Sequence, residues 1–235
     1  MNATALCRME VRVTDINQNH EKQDTHEFEQ DKENFSFFAM LDRMQYIHRW
    51  GLMRNHQQEN IKEHTMDVVV ISHALAMIRN QFFLDGRSPV DEAKTVLTAL
   101  FHDATEIITG DLPTPIKYRN NEIKRVYKEI EGQAAESLLA LLPENMQQWY
   151  RPLLTPDLQK DADVISLVKA ADKICAYIKC IIEESVGNQE FIYAKKTIRV
   201  DIEKIDLPEV AYFMAHFTDA YGQTLDQNSK RGEIG

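Results

Sequence analysis

Cysteine is scarce in this 235-residue chain: Cys7, Cys175 and Cys180 are an odd number and show no CxxC spacing. A disulfide framework and a thiolate zinc site are therefore not expected, and a reducing, cytoplasmic setting is. Long apolar runs are lacking too. Aliphatic stretches such as Val68 to Ile71 are short, far from the about 18 residues of a membrane span. The opening residues, MNATALCRMEVR, put their basic side chains after the few apolar ones and develop no hydrophobic segment, so no secretory signal is expected. Positive charge is in deficit, with 27 Lys plus Arg against 37 Asp plus Glu and a net charge of −10. Such a surface repels a polyphosphate backbone, so no nucleic-acid polymer is expected as a partner. A small phosphate ligand held by a local cation is still compatible with it.

Hydrophobic residues make up 43% of the chain, enough to build a core. They are unevenly spread. Residues 14–34 hold only Ile16 and Phe28 as large apolar side chains, so residues 1–34 are read as a polar, disordered extension, 35–227 as the body and 228–235 as a C-terminal tail. In the body the apolar period is helical almost everywhere, and most of the chain's 8 glycines and 7 prolines fall between periodic segments. The fold class expected is all-α, a bundle of about six to eight helices. The first helix is placed through Phe35 to Ile47. A second, from Asn60 to Phe82, carries the stripe Val68, Ile71, Leu75 and Ile78. Ser88 and Pro89 suggest an N-cap and N1 opening a third helix that runs to Thr109, where Gly110 stops it. A fourth spans Asn121 to Leu142, ahead of Pro143. The fifth, Asp161 to Ser185, has Val164, Leu167, Val168, Ala171, Ile174, Ile178 and Ile182 on one face and ends at Gly187-Asn188. Two more are placed at Gln189–Ile205 and Pro208–Leu225.

Polar residues that interrupt apolar faces are the informative ones, because burial without a partner is unfavourable. His64 lies on the stripe of the second helix. Asp103 shares a face with Val96, Ala99 and Ile107, with His102 beside it. Asp172 sits at the edge of the stripe of its own helix. Two imidazoles and two carboxylates suit a divalent first-row ion such as Mn, Co, Fe or Zn. On a continuous helix His102 and Asp103 point about 100° apart, so one ion would have to sit over the flank between them. With 8 His and 17 Asp, about 0.6 His-Asp pairs arise by chance, and a lone buried His is commonly a hydrogen-bonded core residue. The order His64, His102-Asp103, Asp172 is more specific than its parts. It resembles the H…HD…D signature of the HD-domain metal-dependent phosphohydrolases.

The segments RWGLMRN (49–55), ENIKEH (59–64), FHDATEIITGDLPTPIKY (101–118) and VKAADKICAYIKCIIEE (168–184) narrow the resemblance to the YfbR-type 5′-deoxynucleotidases, over about residues 35–227. One departure is Gly51, where the family form has Pro after Arg-Trp. The resemblance implies a single HD domain, a homodimer, and one divalent ion per site, Co, Mn or another first-row ion, on His64, His102, Asp103 and Asp172. The activity implied is hydrolysis of deoxyribonucleoside 5′-monophosphates to deoxyribonucleoside and phosphate, broad for base and selective against ribonucleotides.

Glu106, three residues after Asp103 and four after His102, lies over the same helical patch. It is read as proton acceptor for the attacking water or, alternatively, as an orienter of His102. Arg49 is the chosen phosphate fork, with Lys117 and Arg54 in reserve. Asp111 is read as a further catalytic carboxylate. The family pattern implies substrate contacts from Asp111, Leu112, Pro113 and Thr114, although a purely structural turn is the competing reading. His102 and Asp172 are placed against the substrate as well. Trp50 would exclude a 2′-hydroxyl by bulk, or else serve as a packing residue. Other HD activities fit less well: Ile107 follows Glu106 where an HDxxED motif needs a second acid, and no GYP motif follows HD. A nucleotide-binding sensor with little turnover is the alternative from another class.

Overall fold

The computed structural model describes residues 34–117 and 119–229, without the side chains of 114 and 115. The extension placed at 1–34 and the tail placed at 228–235 thus lie almost wholly outside the described residues. The elements below belong to the unit that begins at Ser36. In chain order they are α1 (Phe37–Asp42), a 3-10 turn (Arg43–Tyr46), α2 (Ile61–Phe82), α3 (Glu92–Phe101), α4 (Glu106–Thr109), α5 (Thr114–Lys117), α6 (Asn121–Leu139), α7 (Glu144–Leu154), α8 (Ala162–Ser185), a 3-10 turn (Gln189–Phe191), α9 (Ile192–Glu203), α10 (Pro208–His216), a 3-10 turn (Thr218–Gly222) and α11 (Leu225–Ser229). Every regular element among the described residues is helical, as the period predicts.

The long helices α2 and α8 form the centre. Val68, Ile71, Leu75 and Ile78 on α2 are buried, as are Val164, Leu167, Val168, Ala171, Ile174 and Ile178 on α8. Together with Ala99, Ile202, Val210 and Phe213 they make one apolar cluster. Each such aliphatic side chain removed from water contributes roughly 1.5–3 kcal/mol. A second cluster gathers Phe37, Phe101, Ala104, Leu138, Leu139, Leu142 and Leu154, from α1, the end of α3, α6 and α7. The segment 99–104 feeds both clusters, Ala99 one and Phe101 with Ala104 the other.

Five expected boundaries are corrected. The last helix stops at His216, short of Leu225, and a 3-10 turn follows it. The first helix does not reach Ile47: it tightens to 3-10 geometry at Arg43 and gives way to extended backbone at Ile47, where Ile47 and Arg49 pair with Glu59 and Ile61. Ser88 does not cap the third helix. Asp91 does, its carboxylate accepting from the Lys94 N–H at 2.9 Å, a stronger acceptor at a helix N-terminus than a hydroxyl. That helix also stops at Phe101 instead of running to Thr109. Finally, Pro143 does not merely end a helix but precedes α7, an additional one that seats Leu154, with Met146, Tyr150 and Leu153, in the second cluster.

Candidate metal and substrate site

Local structure places each candidate ligand. Asn60 caps α2, accepting from the Lys62 and Glu63 N–H groups while Glu63 accepts from the Asn60 N–H, a reciprocal capping box. This fixes the first turn, on which His64 is 1% exposed. At the end of α3 the chain tightens. His102, Ala104, Glu106 and Ile107 each donate a backbone N–H three residues back, to Ala99, Phe101, Asp103 and Ala104. The continuous-helix geometry expected for His102 and Asp103 is therefore wrong, and the tighter turn sets His102 Nε2 3.1 Å from Asp103 Oδ2. Asp172 comes from the middle of α8.

The groups converge. His64 Nε2 lies 3.6 Å from Asp103 Oδ2 and 3.0 Å from Asp172 Oδ1. One donor atom each from His64, His102 and Asp103 falls within a sphere of mutual distances no greater than 4.8 Å, and Asp172 adjoins this trio through His64. Both Nε2 atoms are buried and make no hydrogen bond, although carboxylate oxygens stand close by. Misaligned acceptors at 3.0 to 3.6 Å are what ligands around a common centre look like. With bonds of about 2.1 Å, neighbouring ligands are about 3.0 Å apart on an octahedron and about 3.4 Å on a tetrahedron. The donor set therefore fits a divalent first-row ion.

Charge is concentrated here. Burial opposes ionisation of Asp103, yet His102, then His64 and Arg49, hold its carboxyl far below the usual range. Burial likewise disfavours the His102 imidazolium, but Asp103 and Asp172 push the ring up to about 9. Glu106 opens α4 and is 7% exposed, with Oε2 unpartnered. Burial, followed by the carboxylates of Asp103 and Asp111, pushes it up to about 9. Gly110, at φ +72° and with its N–H on Glu106 O at 2.8 Å, turns the chain into the loop that follows. On that loop burial raises Asp111, against the pull of Arg49, and Leu112 and Pro113 are half-buried. The Thr114 side chain lies outside the described residues.

The two reserve cations are engaged elsewhere. Lys117 bonds Glu131 at 2.8 Å and lies over the Tyr127 ring, while Arg54 pairs with Glu190 at 2.7 Å on the surface. Arg49 is at the site. Its backbone N–H meets Glu59 O at 2.9 Å, next to the His48–Asn60 bridge, and Nη1 reaches Glu59 Oε1 at 2.5 Å and His64 Nδ1 at 2.6 Å. Nη2 is 3.7 Å from Asp172 Oδ1. Trp50 follows at φ +59°, a left-handed conformation unfavourable by about 1–2 kcal/mol for a residue with a Cβ. Its ring packs on Phe191 at 5.3 Å between centroids, and its Nε1 is buried without a partner. Glu183 anchors the following loop, accepting from the N–H groups of His56 (2.8 Å) and Gln57 (3.2 Å), from Lys179 (2.5 Å) and from Asn188 (2.7 Å). Neither Glu59 nor Glu183 stands out in the sequence. The nearest signal for Glu59 is its place next to the capping residue Asn60, and it says nothing of Arg49.

Relatives carry the same body. The family model for YfbR-like 5′-deoxynucleotidases matches residues 36–221. A 5′-deoxynucleotidase of Photorhabdus temperata is 45% identical over 193 residues, 82% of this chain and 96% of its own length. One from Vibrio cholerae is 45% identical over 82% of this chain and 97% of its own. Among solved structures, an HD-domain phosphohydrolase from Listeria innocua superposes with a TM-score of 0.66 at 22% identity, covering 79% of this chain and 88% of that one. The HD phosphohydrolase of cyanophage S-2L, bound to dA and one catalytic Zn2+, gives a TM-score of 0.54 at 19% identity over 79% of this chain and 96% of its own. The two structures establish the HD-domain fold, and the sequence matches go further: this chain belongs to the YfbR-like 5′-deoxynucleotidase family.

Proposed function

We propose that the protein hydrolyses deoxyribonucleoside 5′-monophosphates to the deoxyribonucleoside and inorganic phosphate, with one divalent ion on His64, His102, Asp103 and Asp172. The observation that carries this is the pair of buried, unpartnered Nε2 atoms turned toward Asp103. When bound, the ion supplies positive charge for the phosphoryl oxygens and a lowered pKa for water beside it.

The chain's own residues supply the remaining functions. His102 donates Nδ1–H to Ala99 O at 2.7 Å, which keeps Nε2 aimed inward. Glu106, whose Oε2 is buried without a partner, takes the proton of the attacking water once it is ionised, which the positive charge of the bound ion favours against the neighbouring carboxylates. Asp111 borders the same space and assists proton transfer or binds the substrate. Arg49 grips the phosphate. Trp50, wedged on Phe191, leaves no room for a 2′-hydroxyl. Leu112 and Pro113 line the loop side, with Thr114 next to them, and nothing in this set reads a Watson–Crick edge, so several bases are accepted. A homodimer, to be checked by sedimentation, and a cytoplasmic location are part of the same reading. No helix among the described residues is long and apolar enough to cross a membrane.

The test is phosphate release from dAMP, dGMP, dCMP, dTMP and dUMP, from their ribo counterparts and from 3′-monophosphates, with Mn, Co, Mg or EDTA. Release from the 5′-deoxy set, abolished by EDTA and restored by Co or Mn, is expected. Turnover insensitive to EDTA, or equal on ribonucleotides, would overturn the ion or the sugar assignment respectively.

A further inference from the structure

We infer that Glu59 is a positioning residue of the metal centre: it accepts the Nδ1–H of His64 once an ion is bound and so releases Arg49 from the imidazole to meet the phosphate. The inference rests on the metal reading above and on a contrast between the two histidines.

His102 Nδ1 faces the Ala99 carbonyl at 2.7 Å, which can only accept, so Nδ1 keeps its proton and Nε2 is the atom that ligates once it gives up any proton of its own. At His64 the partners are reversed. Arg49 Nη1 sits 2.6 Å from His64 Nδ1, and a guanidinium can only donate. Nδ1 is therefore the acceptor, and the one proton of a neutral His64 ring lies on Nε2. That is the atom facing Asp103 and Asp172. In this tautomer Nε2 has no lone pair for an ion.

Ligation through Nε2 demands the other tautomer. Nε2 gives its proton to solvent and Nδ1 takes one from it, leaving the charge of the ring unchanged. An Nδ1–H cannot remain 2.6 Å from a donating Nη1, so the guanidinium has to withdraw. The acceptor at hand is Glu59 Oε1, 3.7 Å from Nδ1 and already bonded to Arg49 Nη1 at 2.5 Å. Glu59 is well placed for both tasks. Its side chain is 14% exposed, and its backbone carbonyl binds the Arg49 N–H at 2.9 Å, so the carboxylate keeps hold of Arg49 while accepting from His64. Arg49 is tied up while it donates to His64 Nδ1, and held by Glu59 alone it is free to meet the phosphate. Phosphate gripping is coupled to metal loading.

The direct test is a long-range 1H–15N correlation spectrum of the full chain, labelled with 15N-histidine, without metal and after addition of Zn2+ alone. Ring signals are assigned with His64→Asn and His102→Asn variants. Metal-free His64 is expected with a proton on Nε2 and none on Nδ1, and Zn2+ should move it to Nδ1, whereas His102 should carry Nδ1–H in both states. A His64 that already holds Nδ1–H without metal, or that stays unprotonated at Nδ1 after His102 has responded to Zn2+, would overturn the inference and leave the metal reading standing. Silence of both rings to Zn2+ would remove both. Zn2+ affinity separates Glu59 from a merely structural residue. Glu59→Ala should weaken it about 10- to 100-fold, and Glu59→Gln, whose amide oxygen still accepts, should recover most of that loss. Arg49→Ala should leave affinity unchanged or tighter. Equal weakening by Glu59→Ala and Arg49→Ala would mean that Glu59 acts only through Arg49, contrary to the inference.

Discussion

Glu106 is an unfavourable residue in a folded core. Its carboxyl is 7% exposed, one oxygen lacks a partner, and burial together with Asp103 and Asp111 pushes it up to about 9. Such a group persists where its chemistry is used. Glu106→Gln is therefore expected to cut kcat about 100-fold or more, the usual loss for a general base. The metal-free melting midpoint should stay the same or rise, since an unsatisfied buried acid has been removed. Phosphate release and thermal denaturation in EDTA check the two halves, and an equal loss of bound metal would make Glu106 a support for His102 instead. Trp50 is also held under strain, at φ +59° against Phe191. Trp50→Ala should lower the ratio of deoxy to ribo turnover about tenfold or more, in line with the 1–3 kcal/mol that shape alone discriminates, while Arg49→Ala should depress both substrates together. An unchanged ratio would move sugar recognition to the loop from Asp111 to Thr114. The Arg-Trp pair is visible in the sequence. Its left-handed turn is not, because tryptophan carries no turn signal, and the Glu59 contact depends on backbone pairing across residues 50–58 that no periodicity encodes.

Elements were legible in proportion to their apolar period. The stripes of α2 and α8 are long and regular, and both helices lie close to where the sequence puts them. The break between α3 and α4 is different. FHDATEIIT contains no glycine or proline, so local propensity continues the helix, and only tertiary placement tightens it into the turn that brings His102 Nε2 to Asp103. α7 escaped because ENMQQWYRPLL is polar and holds Pro152. The loop after Trp50 is tied to α8 by Glu183, fully buried, bonded to Lys179, Asn188 and two backbone N–H groups. Burial alone would raise this acid, but these four donors hold it at about 2, below the 4.5 of a free glutamate. A carboxyl depressed on folding stabilises the fold above its unfolded value, and that contribution fades as the pH falls. The window here runs from about 4.5 down to about 2, and the amount at stake is on the order of 3 kcal/mol. Urea unfolding at a series of pH values should show wild-type stability falling through this window. Glu183→Gln should already be lower at pH 7, because Lys179 is left buried with a neutral partner, and should vary less with pH below 4.5.

At the scale of the whole molecule, the family match and the two apolar clusters lie within residues 36–221, and so does every residue assigned to the site. Residues 1–33 contribute eight acidic and four basic side chains to a chain whose net charge is −10. Net negative charge tethered to an acidic enzyme repels an anionic nucleotide at long range. A variant lacking residues 1–33 should keep the wild-type melting midpoint, metal stoichiometry and kcat. Its kcat/KM should exceed that of the full chain by about two- to threefold near 0.01 M salt, where the Debye length is about 30 Å, and match it at 0.15 M, where it is about 8 Å. Steady-state kinetics across that range of ionic strength decide the matter. A salt-independent change would show that the extension acts by contact and not by charge, and loss of turnover would show that it completes the site.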